Sequence, residues 1–129
     1  MKYKILIVNA NYYTDISKNL LLKAKLTLRK KVNLKVVNVT GVFEIPVVIA
    51  KNAKKFDAFV ALGCVIKGET PHFDFISRAT INSISHLSSI HKKPIGNGII
   101  TCLNLNQALA RKRKGQEAAT AVLSVLDNF

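Results

Sequence analysis

The chain has 129 residues, of which 49% are hydrophobic and 21% charged, and its formal net charge at pH 7 is +13. This length suits a single domain, residues 1–129, whose core needs no disulfide or metal, and the hydrophobic share excludes a disordered chain. Since no apolar run reaches the roughly 18 residues of a membrane-spanning helix, and the N-terminus turns polar too soon for a signal peptide, we expect neither membrane insertion nor secretion.

Apolar runs of strand length alternate with segments of helical spacing along the chain. In chain order we predict strand 4–9, helix 15–31, strand 34–39, helix 44–55, strand 59–66, helix 71–91, strand 94–102 and two helical segments, 104–112 and 115–126. Such alternation favours βαβ units with a parallel sheet and right-handed crossovers. The sequence therefore predicts a three-layer α/β/α domain with a four-stranded parallel sheet, flavodoxin-like in type.

Ligands of such sheets bind beyond the carboxyl ends of the strands, and two of the loops there carry unusual residues. After the first strand, Tyr12 and Tyr13 offer a ring that could stack on a flat ligand, or they line the base of the helix as half-buried residues. After the second strand, GVFEIP leaves the backbone of residues 42–44 open to read the edge of a heterocycle. Taken alone, Glu44 is better explained as an acid that stabilises a helix N-terminus.

The third loop follows the most apolar strand, in the stretch FVALGCVIKGETPHFDF. Thr70 is a good N-cap and Pro71 suits the first position of a helix, so strand, tight turn and helix follow directly. A helix N-terminus binds anions through its free N–H groups and its dipole. His72, one residue inside the helix, can accept and return a proton near pH 7, which favours a catalytic role over a structural one.

The positive charge has two interpretations: a solvated lysine-rich surface or a nucleic-acid interface. The lysines are scattered where helices face solvent or end, which favours a solvated surface over a nucleic-acid interface. The dense cluster at 111–114 ends at Gly115 and serves as a helix C-terminus or as a phosphate clamp, for which arginine has the right geometry. Without interleaved aromatic residues, the cluster does not resemble a nucleic-acid strip.

The cysteines and the absence of common motifs argue against several kinds of site: disulfide, zinc and nucleotide. The two cysteines, Cys64 and Cys102, lie in apolar stretches, so we expect free thiols and a reducing cytoplasm rather than a disulfide scaffold. No Cys/His cluster has zinc-ligand spacing. Neither GxGxxG nor GxxxxGK[ST] occurs, so the common dinucleotide and P-loop signatures are absent.

Several segments in register resemble lumazine synthase, the penultimate enzyme of riboflavin biosynthesis: GVFEIP, ALGCVIKGETPHFDF, PIGNGIITCLNLNQALAR and KGQEAA. The resemblance covers nearly the whole chain, and its GxVIKGETPHFDF stretch is highly specific. It implies condensation of 5-amino-6-(D-ribitylamino)uracil with 3,4-dihydroxy-2-butanone 4-phosphate to 6,7-dimethyl-8-ribityllumazine, with loss of phosphate and water. The resemblance also implies that neither a metal nor a redox cofactor takes part.

The resemblance assigns a pyrimidine-binding role to seven residues. Tyr12 stands where the family has an aromatic residue, usually Phe, that stacks on the pyrimidine. The other six match the segment that binds the uracil and ribityl groups and the strand end beside the ring: Val42, Phe43, Glu44, Cys64, Val65 and Ile66.

The remaining matched residues concern phosphate and proton transfer. Glu69 and Thr70 match the turn that holds the phosphate, and His72 matches the proton-transfer residue. Arg111 matches an arginine that binds the phosphate from a neighbouring subunit, and Asn97 matches another position of that neighbour, where several members have Phe. The chain is several residues shorter than usual between Arg111 and Lys114, so Lys114 is not assigned to the site.

The resemblance also implies an assembly. Sites of this family lie between subunits of a pentamer, so we expect a homo-oligomer that binds small molecules. Members that form sixty-subunit shells carry an N-terminal segment ahead of the first strand, and here that strand begins almost at Met1, so we expect a pentamer or decamer. The alternatives are a flavodoxin-like module that binds the ligand without turnover and, supported only by charge, a nucleic-acid binder.

Overall fold

The computed structural model describes residues 2–28 and 32–129. The elements in chain order are β1 (Tyr3–Ala10), α1 (Thr14–Leu28), β2 (Val32–Val39), a 3₁₀ helix (Val42–Glu44), α2 (Ile45–Asn52), β3 (Ala58–Ile66), α3 (His72–His91), β4 (Ile95–Cys102), α4 (Leu105–Ala110) and α5 (Lys114–Leu126). Every predicted strand and helix is present. Residues 29–31 of the predicted first helix lie outside the described residues.

The four strands form one parallel sheet in the order β2-β1-β3-β4. In β1, Ile5 pairs with Leu34 of β2 on one side and with Ala58 of β3 on the other. From Ile5 to Val8, β1 has no exposed side-chain surface, as its continuous apolar sequence predicts for a strand covered on both faces. The predicted four-stranded parallel sheet is confirmed.

Two apolar clusters, one on each face of the sheet, make the three layers. On one face, Ile5, Ile7, Val60 and Leu62 pack with residues of α1, α4 and α5. On the other face, Leu6, Val8, Phe59 and Ala61 pack with residues of α2, α3 and the 3₁₀ helix. The alternation of strand residues between the two clusters follows from the two-residue period of a strand. The α/β/α architecture is confirmed, and no helix of the described chain is long and apolar enough to cross a membrane.

Two helix starts differ from the prediction. The segment predicted to open helix 44–55 forms a separate 3₁₀ turn, in which the N–H of Glu44 donates to the Gly41 carbonyl at 3.2 Å, and α2 follows at Ile45. Helix α3 begins at His72, with Pro71 rather than Thr70 as its N-cap. The reason is the backbone of Pro71, whose ψ of 3° lies outside the helical range, so that the first helical residue is His72.

Candidate active site

A cavity of about 290 Å³ lies where β1, β2 and β3 end. The chain leaves β1 toward β2 and leaves β3 toward β4, so the crevice between β1 and β3 is the switch point at which α/β sheets bind ligands. The lining residues come from the β1 and β3 ends, the loops after β1 and β2, and the first turns of α3: Ala10, Tyr12, Tyr13, Gly41, Val42, Cys64, Val65, Ile66, His72 and Ile76. Six of the twelve predicted site residues therefore share one cavity.

The floor of the cavity, formed by Ala10, Val42 and Cys64, is buried. Gly63 allows this packing, because a Cβ at Gly63 would lie 2.5 Å from Cγ1 of Val42 and 3.1 Å from Cβ of Ala10. Real Cβ atoms do not approach so closely without movement of a neighbour. The glycine in ALGCVI thus holds the 3₁₀ helix against β3 and closes the floor.

Cys64 is the thiol of this floor. Burial, followed by the charge of the neighbouring Cys102 thiol and a hydrogen bond with it, raises the pKa of the Cys64 thiol to about 12. Cys102 itself donates to the carbonyl of Asn104 at 3.4 Å. A thiol that stays protonated is a poor nucleophile, so Cys64 contributes shape and polarity to the cavity rather than covalent chemistry.

The rim of the cavity, formed by Tyr12 and His72, is exposed. Tyr12 keeps 74% of its surface open to solvent, and its ring meets the ring of Tyr13 edge to face, with centroids 4.9 Å apart and an interplanar angle of 80°. Both tyrosines also line a second cavity of about 390 Å³ that extends toward α4. The two rings therefore form the wall between the two cavities.

The turn before His72 holds fewer free donors than the sequence predicts. The hydroxyl of Thr70 accepts from the N–H of His72 at 3.3 Å, and the carbonyl of Pro71 accepts from Asp74 and Phe75 at 3.0 and 3.2 Å. Glu69 and Thr70 are exposed beside the cavity without lining it. Their role toward phosphate stays a prediction.

Of the three residues of the 3₁₀ helix, Val42 alone lines the cavity. Phe43 is 59% exposed, and the carboxylate of Glu44 accepts from the Thr40 hydroxyl at 3.2 Å. The Val42 carbonyl already accepts from the N–H of Ile45. These bonds leave fewer backbone groups for a heterocycle than the sequence predicts.

Two predicted residues lie away from the cavity. Asn97, on the edge strand β4, lines a groove of about 300 Å³ against α3, and its side chain accepts from the N–H of Ile99 at 3.1 Å. Arg111 follows α4 in the exposed basic cluster 111–114 and lines a cavity of about 170 Å³ against α1. A Cβ at Gly115 would overlap the carbonyl of Leu20, so this glycine lets the start of α5 pack against α1 beside the cluster.

Sequence reasoning left four lining residues unassigned. Tyr13 had a signal, because two adjacent aromatic residues follow β1. Ile76 had a weaker one, because it follows His72 by four residues and so lies on the same face of α3. Ala10 and Gly41 have no reactive group and carried no signal. Among the described residues, no group of three or more His, Cys, Asp or Glu is placed to hold a metal ion.

Comparison with known proteins matches nearly the whole chain to one family. The family model described as 6,7-dimethyl-8-ribityllumazine synthase matches residues 2–129. Proteins of that name from Methylorubrum extorquens (strain PA1) and Agrobacterium fabrum are each 40% identical to this chain, over 136 and 139 residues. These alignments cover 95% and 98% of this chain and 79% and 94% of the relatives. The one from Campylobacter jejuni (strain 81-176) is 38% identical over 135 residues, covering 96% and 88%.

Proposed function

The chain belongs to the 6,7-dimethyl-8-ribityllumazine synthase family, and we propose that it carries out the family's reaction in the cavity between β1 and β3. The enzyme condenses 5-amino-6-(D-ribitylamino)uracil with 3,4-dihydroxy-2-butanone 4-phosphate and releases phosphate and water. The observation that carries the placement is the shared cavity, because it brings His72 together with the aromatic and apolar residues that the resemblance assigns to the pyrimidine.

The lining suits a flat, partly polar ring. The ring of Tyr12 is exposed for stacking, while Val42 and Val65 offer apolar surface on another side. Cys64 and Ile66 complete the strand end beside the ring. Phe43 and Glu44 lie next to Val42, so a ribityl group that extends from the cavity over the 3₁₀ helix meets them.

His72 is the base of the reaction. The amine of the pyrimidine and the ketone form an imine with loss of water, a proton beside the imine is removed and phosphate leaves. The enol that remains becomes a ketone, and the ribitylamino nitrogen closes the ring on it with loss of a second water. The imidazole of His72 lines the cavity, within which it takes that proton. The leaving phosphate gains negative charge, which the N-terminus of α3, with Glu69 and Thr70 in its turn, and an arginine stabilise.

That arginine, Arg111, comes from a neighbouring subunit. Within one chain Arg111 and Asn97 line other cavities, one beside α1 and one beside α3. A ring of subunits with head-to-tail contacts brings such a surface to the cavity of the next copy. The working enzyme is therefore a homo-oligomer, which the resemblance makes a pentamer or decamer, and it acts in the cytoplasm on small molecules.

Lumazine formation, followed by absorbance with both substrates present, tests the function directly. Wild-type protein is expected to turn over. An intact oligomer that binds the pyrimidine without turnover would favour a binding module instead.

Mixed assemblies test whether the site is shared. His72→Ala and Arg111→Ala variants are unfolded together and reassembled in equal amounts. If each cavity takes Arg111 from the next subunit, about a quarter of the sites regain both side chains and activity returns. If both residues act within one chain, the mixture, assayed below the KM of the four-carbon phosphate, is no more active than the average of its parents, and the assignment of Arg111 to the neighbour is wrong.

A further inference from the structure

The feature that the family resemblance does not assign is Tyr13, which lies between the ring of Tyr12 and the apolar core. Tyr13 is half-buried and packs against the cluster that contains α1 and α5. Its ring lies in edge-to-face contact with Tyr12 and lines the same cavity as His72. Tyr13 is therefore the fixed partner of the pair, and Tyr12 the exposed one.

An exposed aromatic ring loses rotational freedom when it stacks on a ligand. A ring that is 74% exposed, as Tyr12 is, has few neighbours that restrict its rotamers. An edge-to-face contact with a half-buried ring restricts them before the ligand arrives. Preorganisation of this kind raises affinity, because less entropy is lost on binding.

The geometry of the pair keeps Tyr12 available. In an edge-to-face contact, Tyr13 meets either one face or the edge of the Tyr12 ring. In both cases at least one face of Tyr12 stays uncovered by Tyr13. An aromatic neighbour in this arrangement supports the ring without taking the surface that stacks.

The Tyr13 hydroxyl is not suited to proton transfer. The pKa of Tyr13 is raised above its ordinary value of 10.0. Burial is the largest cause, and the charge of the neighbouring Cys64 thiol is the second. The phenol therefore stays protonated at neutral pH. A contribution of Tyr13 to the reaction rests on the placement of its ring.

We propose that Tyr13 is a positioning residue, whose ring holds Tyr12 at the angle from which Tyr12 stacks on the pyrimidine. This inference rests on the proposed function of the cavity. It predicts that Tyr13 affects the affinity for the pyrimidine and the lumazine, acts through Tyr12, and leaves the KM of the four-carbon phosphate and the pH profile of kcat unchanged.

The test is equilibrium binding of 6,7-dimethyl-8-ribityllumazine to the assembled full-length protein, read by ligand fluorescence. Tyr13→Leu is expected to weaken binding roughly threefold to tenfold, the range of an aromatic pair. Tyr13→Phe, which keeps the ring, restores most of the affinity. In a Tyr12→Leu background, Tyr13→Leu has no further effect, because the residue through which it acts is gone.

Two results would overturn the inference while the proposed function stands: wild-type affinity in Tyr13→Leu, or the same loss in both backgrounds. Wild-type protein that binds no lumazine would overturn the proposed function and the inference with it. Circular dichroism and the assembly state are checked for every variant. If Tyr13→Leu does not fold, Tyr13→Met, whose flexible side chain fills the half-buried position, replaces it in the same cycle.

Discussion

The floor and the rim of the cavity are built in opposite ways. The floor, Ala10, Val42 and Cys64, is buried and lies on strand ends and a 3₁₀ helix closed by Gly63. The rim, Tyr12 and His72, is exposed and lies where loops enter helices. One chain completes the floor, whereas the rim stays open to solvent, next to surfaces that another subunit can cover.

This difference separates the residues that set the shape of the cavity from the residues that bind and react. Buried, closely packed residues tolerate little change in volume, so the floor fixes the outline of the ligand. Exposed residues stay open to a second reactant, and His72 and Tyr12 are of this kind. Substitutions in the floor should therefore act on stability and shape, and substitutions at the rim on catalysis and binding.

The largest effect is expected at the rim from His72→Ala. Loss of a general base lowers kcat about a hundredfold or more, with the unfolding midpoint unchanged because the side chain is exposed. Steady-state kinetics with both substrates and a thermal melt measure the two quantities. His86→Ala, exposed near the far end of α3, is the matched control. Undiminished turnover in His72→Ala would mean that the rate comes from holding the two substrates together and not from a general base.

Arg111→Ala comes next. A charge-assisted contact to phosphate makes the KM of the four-carbon phosphate rise roughly tenfold or more, while the KM of the pyrimidine stays the same. Initial-rate measurements with each substrate varied in turn separate the two. Arg113→Ala, in the same exposed cluster, controls for the loss of one positive charge. An equal effect of both variants would mean that the cluster acts only by its summed charge.

In the floor, Gly63→Ala is expected to destabilise the fold by about 1–3 kcal/mol, because the new methyl group forces Val42 or Ala10 to move. Denaturant unfolding measures the change, and weaker lumazine binding should accompany it. Gly68→Ala is the control, since a Cβ there has no atom within 4 Å. Equal stability of the two variants would show that the floor relaxes freely.

The smallest effect concerns Cys64, and at neutral pH it is absent. The folded thiol keeps its proton up to a pKa of about 12, whereas the unfolded thiol loses it near the ordinary value of 9.0. Below pH 9 both states are neutral, and above it the unfolded chain releases its proton first, so stability falls as pH rises toward 12. The slope attributable to Cys64 is at most about 1.4 kcal/mol per pH unit.

Unfolding of Cys64→Ala across this alkaline range isolates that slope, since the variant keeps every other titrating group. The difference in unfolding free energy between wild type and variant should be constant below pH 9 and shrink above it. A constant difference up to pH 11 would mean that the folded thiol ionises as readily as the unfolded one.

Sequence reasoning predicted the sheet well because its signal is local and repeated. Continuous apolar runs such as that of β1 fit only strands covered on both faces. Ligands of parallel sheets bind beyond the carboxyl ends of the strands, which pointed to the loops around Tyr12, Val42 and His72. The 3₁₀ turn was missed because its i→i+3 bonds, from Glu44 to Gly41 and from Ile45 to Val42, depend on local geometry that GVFEIP does not specify.

The rest of the site was harder to predict from the sequence, because it depends on contacts between distant segments. That Gly63 is needed for close packing emerges only when Val42 from another loop lies against it, which no local pattern records. The positions of Asn97 and Arg111, away from the cavity of their own chain, depend on how α4 and β4 pack, at long sequence separation. Their assignment to a shared site therefore remains a prediction from resemblance.

The central position of β1 has a consequence for synthesis of the chain. Both neighbours of β1 come later in the sequence, and the pairing of Ile5 with Ala58 joins residues 53 positions apart. During translation the apolar segment from Ile5 to Val8 emerges before β2 and β3, and its edge toward β3 stays unpaired after β2 has formed. Long-range parallel pairing is slow, so the apolar surface of β1 stays exposed and prone to aggregation while the chain is made. Chaperone binding to this segment should therefore control the yield of folded enzyme.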